Sequence, residues 1–308
     1  MALSLTSSEV IGLFEKLSNW GRWGKDDQRG ALNFITDKKR ASAARLAQTG
    51  ETVSLALPLA VTPAVDNPTP VTHLIVQAGI DSDRAWLPHA ADYFAIAFHG
   101  MANTHIDALC HVFWQGKMYN GFSAGEVGSH GAQKCAIDVA RQGLVSRGVL
   151  LDIPKLRKVE WLKPGDRIMA TELDAAEKEH GVRVEEGDIL LIRTGRARRR
   201  KSKGAWDPNR EGLPGLDPTC LPWIHDRRVA ILGSDAVSDV LPSGYKDVLL
   251  PIHVCTLVTM GVHLLDNADF DALAETCARL GRYEFMFASA PLILERGTGS
   301  PVNPLAIF

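Results

Sequence analysis

Residues 98–113 read "FHGMANTHIDALCHVF" and bring His99, His105, Asp107 and His111 into one short stretch. Imidazole nitrogen and carboxylate oxygen form the donor set of catalytic zinc, manganese and non-haem iron sites, and they also serve general acid–base catalysis. In an extended segment the side chains at i and i+2 share a face, so His105 and Asp107 project together. A helical turn after Asp107 would return His111 to the same side, four residues on. Taken singly, each histidine reads equally well as a hydrogen-bonded structural residue. The H-x-D-x-x-x-H spacing just after an apolar strand favours a metal or acid–base site over a loop that is merely rich in histidine.

Two further residues could join this group from far downstream, in "LLPIHVCTLVTMGVHLLDNADF" (249–270). His253 interrupts an apolar helix, where a lone histidine is more often a core residue. Asp266 closes the same element after His263. Other chemistries lack their marks: the chain has no GxxxxGK[ST] and no GxGxxG opening a helix after a strand. Cys110 stands beside His111, but adjacent residues of a strand face opposite ways, so it reads as a small buried hydrophobe rather than a thiol nucleophile.

Positioning such a site calls for a scaffold of strands and helices. Short runs rich in β-branched and large apolar residues, bounded by Gly, Pro or Asp, predict strands at 53–57, 73–76, 93–98, 149–153, 189–193, 229–233 and 285–289. Amphipathic spacing predicts helices at 9–17, 38–47, 170–180, 218–226, 249–263 and 270–280. Thr6-x-x-Glu9 has the form of a capping box for the first, while Asp269 and Gly281 bound the last. Strands exceed what simple strand–helix alternation would give, which predicts an α/β fold with a mixed sheet. No repeat or linker divides the chain, so a single domain over 1–308 is expected.

With 45% hydrophobic and 23% charged residues, 308 residues can bury a substantial core. A formal net charge of −2 gives no long-range pull toward nucleic acid or acidic membranes. The run "RTGRARRRKSKG" carries seven basic residues from Arg193 to Lys203. With no interleaved aromatics to stack bases, it reads as a solvated loop. The five cysteines are scattered and form no CxxC, so neither a disulfide framework nor a four-cysteine zinc site is expected. No apolar run reaches the roughly 18–20 residues of a membrane span, and the start lacks a leader pattern; a cytoplasmic protein is expected. Trp86, Phe113, Trp114 and Tyr119 flank the motif and read as core packing or, less simply, as a pocket for a planar ring.

The segment "NTHIDALCH" resembles the H-x-G-T-H-x-D-x-P-x-H signature of the metal-dependent cyclase family, which includes bacterial kynurenine formamidases and isatin hydrolases. "GDILLIRTG", "ILGSDAVSD" and "LPIHVCTLVTMGVHLLDNADFDAL" are similar to later segments of that family. The resemblance implies a swivelling β/β/α fold, a divalent zinc or manganese ion, and hydrolysis of a C–N bond in a small amide or cyclic amide, in a homo-oligomer (dimer or tetramer). It further implies metal ligation by His105, Asp107 and His253, with Asp266 where relatives carry glutamate, and a proton-handling role for His111. Met101 occupies the place of the signature's first histidine, and Asn103 that of its glycine. A thioether is a poor ligand for such metals, so His99, two residues earlier, is the candidate to take its place in the pocket. A lactone or ester hydrolase, a polyketide-type cyclase, or a non-catalytic small-molecule binder remain alternatives on the same pocket.

Overall fold

The computed structural model describes residues 5–80 and 86–308. Nine strands form one sheet: β1 (Thr52–Ser54), β2 (His105–Asp107), β3 (Leu144–Asp152), β4 (Ile189–Arg193), β5 (Ile231–Ser234), β6 (His263–Asp266), β7 (Glu284–Ser289), β8 (Gly299–Pro301) and β9 (Leu305–Ile307). Their spatial order is β1-β9-β7-β3-β4-β5-β6-β2-β8. The four central strands β3, β4, β5 and β6 run parallel. Antiparallel wings extend on both sides, through β7, β9 and β1 at one edge and β2 and β8 at the other. The mixed α/β sheet anticipated from the element pattern is therefore present.

Sequence explains the arrangement. β4 reads ILLIR and every residue is buried, as expected of a parallel strand covered on both faces. Helices Ala170–His180 and Cys220–Asp226 lie in the crossovers between the parallel strands. The first helix, Ser7–Lys16, starts with the expected capping box of Thr6 and Glu9. Helix Asp271–Leu280 ends at Gly281 in a left-handed conformation, and Asp269 accepts from the backbone N–H of Asp271.

Several expectations change. The helix predicted over 249–263 is short: Pro251–His253 continues as a wider π-helical stretch, Val254–Met260, and Gly261 (φ 69°) ends it. Thr256 and Thr259 donate their hydroxyls to carbonyls four residues back, a contact that bends helices. The chain then enters β6, so Asp266 sits on a strand and not at the end of the helix. The basic run is also not a loop. Arg196–Lys203 is helical, and Arg196 is fully buried. Arg193 bonds Asp152 and Asp271, and Arg200 bonds Asp66, so acids distant in sequence neutralise the run.

The predicted strands near 73 and 93 exist, as Thr72–Gln77 and Ala91–Ala95, but they form a separate two-stranded ribbon outside the main sheet. All five cysteines are buried and unpaired, and burial pushes the Cys110 thiol up to about 12. Among the described residues no helix is long and apolar enough to cross a membrane.

Candidate metal centre

Strand register assembles the centre. On β2, His105 and Asp107 project from the same face, being two residues apart. β6 runs antiparallel beside it with Asp266 directly opposite His105, and cross-strand partners share a face. Asp266 is thereby brought to the two residues without any contribution from a helix. On the other side β8 places Gly299 opposite Asp107. A Cβ there would stand 2.9 Å from His99 Cε1 and 3.0 Å from Phe98 Cε2, so the glycine leaves room for those two rings.

Asp107 is the hub. Its Oδ1 lies 2.9 Å from His99 Nδ1, 3.4 Å from His105 Nε2 and 3.9 Å from His111 Nε2, and its Oδ2 lies 3.7 Å from His253 Nε2. The carboxylate is almost fully buried, yet neither oxygen is aligned for a hydrogen bond. Buried carboxylates are normally paired and hydrogen-bonded. Burial works to raise the Asp107 carboxyl, but the surrounding imidazoles, His105 foremost, hold it well below the usual range.

His253 is aimed at this hub from the far side. Asp239 accepts from the backbone N–H groups of Ile252 and His253 and from His253 Nδ1, the last at 2.6 Å. One carboxylate thus holds the helix start and orients the ring, leaving Nε2 3.2 Å from Asp266 Oδ2. The other oxygen of Asp266 accepts from Ser238 at 3.0 Å. Burial alone would lower the His253 imidazolium, but Asp239 and Asp266 raise it well above its ordinary value. His105 is oriented in the same manner: its Nδ1 meets the Asn103 carbonyl at 2.8 Å, which turns Nε2 toward Asp107.

His99 and His111 close the mouth. Their rings stack with centroids 3.8 Å apart, and each is about one quarter exposed. Burial pushes His111 down to about 4, with Asp107 only partly offsetting it, so the ring is neutral at pH 7. Thr298 Oγ1 lies 3.1 Å from His99 Nε2.

Strand parity suggests that His99 and Met101 face one side, but Gly100 (φ 134°) breaks the run. Met101 packs instead against Trp206, Leu213, Val237 and Leu241, while its carbonyl accepts from Arg196. The position of the missing histidine therefore points away from the centre, and His99 points in.

Among the described residues, two groups of side chains converge closely enough to hold a cation: His99, Asp107 and His111, and the buried Asp107, His253 and Asp266. All six residues singled out from the sequence meet in one place. The residues that orient them, Asp239, Ser238 and Thr298, were not singled out, although the first two lie within "ILGSDAVSD". The flanking aromatics do not converge: Trp114 packs edge-on against Phe14, Tyr119 bonds Asp27, and Trp86 is fully exposed. The aromatic ring at the centre is Phe98, against His99.

Comparison with known proteins places this geometry in context. Residues 53–239 match the Cyclase family model, described as "Putative cyclase". A crystal structure of a novel cyclase is 33% identical, with a TM-score of 0.85 over 95% of this chain and 100% of that one. An isatin hydrolase bound to the product analogue thioisatinate is 21% identical, with a TM-score of 0.61 over 89% of this chain and 99% of that one. Isatin hydrolase A from Ralstonia solanacearum is 23% identical, with a TM-score of 0.60 over 86% and 95%. No curated protein matches the sequence.

Proposed function

The chain belongs to the cyclase family, and on that premise we propose that it is a metal-dependent hydrolase of a C–N bond in a small amide or cyclic amide. The observation that carries this reading is Asp107, a buried carboxylate without a hydrogen bond and ringed by imidazole nitrogens. A divalent cation satisfies such a group. The donors are nitrogen and carboxylate oxygen with no thiolate, a set that suits zinc or manganese. Asp107, His253 and Asp266 would hold the ion with His105, since this half of the centre is buried and its rings are oriented by Asp239 and the Asn103 carbonyl. Bound there, a divalent ion polarises a carbonyl and lowers the pKa of a water from about 16 to about 7.

The chain's own residues supply the rest. His111, neutral at pH 7, accepts the proton of the attacking water and returns it to the leaving nitrogen. His99, stacked on it, holds that ring in place. Phe98 offers an apolar face beside the centre, as a planar substrate would require. That solved isatin hydrolases share the fold supports a cyclic amide as the substrate class.

The test is elemental analysis of protein purified without chelator, together with isatin and N-formylkynurenine as trial amides and matched lactones as controls. About one zinc or manganese per chain and metal-dependent amide turnover are expected. Undiminished hydrolysis by fully demetallated protein would remove the ion from the reaction, and turnover of lactones alone would move the bond from C–N to C–O.

A further inference from the structure

The basic helix Arg196–Lys203 turns Arg196, Ala197, Arg200 and Lys201 to one side, at the i, i+1, i+4, i+5 spacing of a single helix face. That face lines a cavity of about 820 Å³, a volume typical of small-molecule sites. The apolar segment 57–61, Leu-Pro-Leu-Ala-Val, lines it as well. Leu59 and Val61 are about half exposed there, at 47% and 55%. None of the residues that converge on Asp107 lines this cavity. It meets the smaller cavity beside His99 only at Met101 and Ala102.

Most charges around the cavity are already matched. Arg200 holds Asp66 through two bonds of 2.6 and 2.9 Å, Arg198 holds Glu275 at 2.7 Å, and Arg193 holds Asp271 at 2.8 Å. Arg196 is the exception. It is 1% exposed, its Nη2 donates to the Met101 carbonyl, and its Nε and Nη1 have no hydrogen-bond partner. Asp66 stands 3.6 Å from it, with both oxygens committed to Arg200. Buried charges are normally paired and hydrogen-bonded. Burial lowers Arg196 from 12.5 to about 10, with Asp66 only partly offsetting it. The guanidinium therefore stays charged at pH 7 with two nitrogens unmatched.

We propose that this cavity is a second binding site, for a small organic monocarboxylate whose charged end meets Arg196 and whose apolar body lies along 57–61. One unmatched guanidinium calls for one negative charge. Asp66 beside it, and Asp269 and Asp271 on the cavity wall, oppose a second, which disfavours phosphate. The half-exposed Leu59 and Val61 gain by being covered with hydrocarbon, which gives the acid an apolar body. This inference does not depend on the reaction catalysed at Asp107.

Isothermal titration calorimetry of the full chain with 4-phenylbutyrate tests it, against 4-phenylbutanol and inorganic phosphate. Saturable binding of the acid is expected, with the alcohol and phosphate each weaker by about tenfold or more, the worth of a hydrogen bond to a charged group. Arg196→Met should weaken the acid by about the same factor. Val61→Glu sets a like charge on the apolar wall at an exposed position that leaves folding intact, so it decides the matter should Arg196→Met fail to fold. It too should weaken the acid, whereas chelator-stripped protein should bind it as well as untreated protein. Absence of binding at millimolar probe would overturn the proposal. So would equal affinity for the alcohol or phosphate, undiminished binding in Val61→Glu or in folded Arg196→Met, or binding lost with the metal, which would put the carboxylate on the ion.

Discussion

The two halves of the candidate metal centre are built differently. His105, Asp107 and Asp266 stand on paired strands, fully buried, at positions fixed by ladder register. His99 and His111 stand on turns that flank β2, are partly open to solvent, and are held by stacking on each other. A strand-borne group cannot move without breaking its ladder, so it suits ligation, which demands fixed geometry. A turn-borne ring can rotate and exchange protons with solvent, so it suits proton transfer. The difference teaches which residues should lose metal when removed and which should lose only rate.

The largest effect is expected at the hub. Asp107→Asn should abolish metal binding and lower kcat/KM by about 10³-fold or more, since both Lewis acidity and activated water depend on the ion. Apo stability should fall as well, because the surrounding imidazoles hold the Asp107 carboxyl well below its usual range, so the ionised group stabilises the fold at neutral pH and Asn gives up that contribution. A metal-free variant that melts no lower than metal-free wild type in calorimetry would show that the imidazoles do not stabilise the Asp107 carboxylate without the ion.

The two halves separate in the next comparison. His253→Ala should lose the metal, whereas His99→Ala and His111→Ala should keep it while turnover falls by about 10²–10⁴-fold, the usual worth of acid–base assistance. Asp239→Asn, which loosens the ring orientation of His253 together with the helix start that Asp239 holds, should weaken metal affinity by about 10–100-fold. Elemental analysis and kinetics on the four proteins side by side decide this. Metal loss in His99→Ala with retention in His253→Ala would reverse the assignment of the halves.

The same contrast explains what could be read in advance. His105 and Asp107 were legible because a two-residue spacing has one meaning in a strand. Asp266 was legible as a chemical type, but its element was not: the stretch 249–265 has no Asp, Glu, Lys or Arg and only isolated polar residues, and Gly261 in a left-handed conformation divides helix from strand. His99 was legible only as a candidate, because the turn at Gly100 decides whether it or Met101 faces inward. The basic run was misread as a loop because its partners, Asp66, Asp152, Asp271 and Glu275, lie about 40 to 135 residues away in sequence. Asp239 escaped notice for a related reason, since its function is set by a histidine fourteen residues on.

Gly299 joins the two halves, and altering it should have a smaller effect. Its missing side chain faces Asp107 of the strand half and touches His99 of the turn half. A Cβ would also meet the Ile106 carbonyl at 2.6 Å, and backbone cannot yield as a side chain does. Gly299→Ala should therefore destabilise the protein by about 1–3 kcal/mol, as overpacking does. It should lower kcat by about tenfold through displacement of His99, yet leave metal content intact. Loss of metal in this variant would mean that the turn half also carries the ion.

The smallest effect concerns a buried histidine outside the centre. His180 stacks on Tyr283 with centroids 4.0 Å apart, and neither ring nitrogen has a hydrogen-bond partner. Where carboxylates raise His253, burial here pushes His180 down to about 4, from an ordinary value of 6.5. The unfolded chain thus takes up its proton first as the pH falls. Stability is unaffected above about pH 6.5, declines between 6.5 and about 4, and levels off below. Between pH 7 and pH 5 the loss from this one group should be about 1–2 kcal/mol. His180→Phe keeps a ring against Tyr283 and removes the titration. Urea unfolding across that range should then show a shallower pH dependence for the variant, by about one proton, with stability at pH 7 changed little. Parallel profiles for the two proteins would mean that His180 reaches water in solution and is not the neutral, buried ring described above.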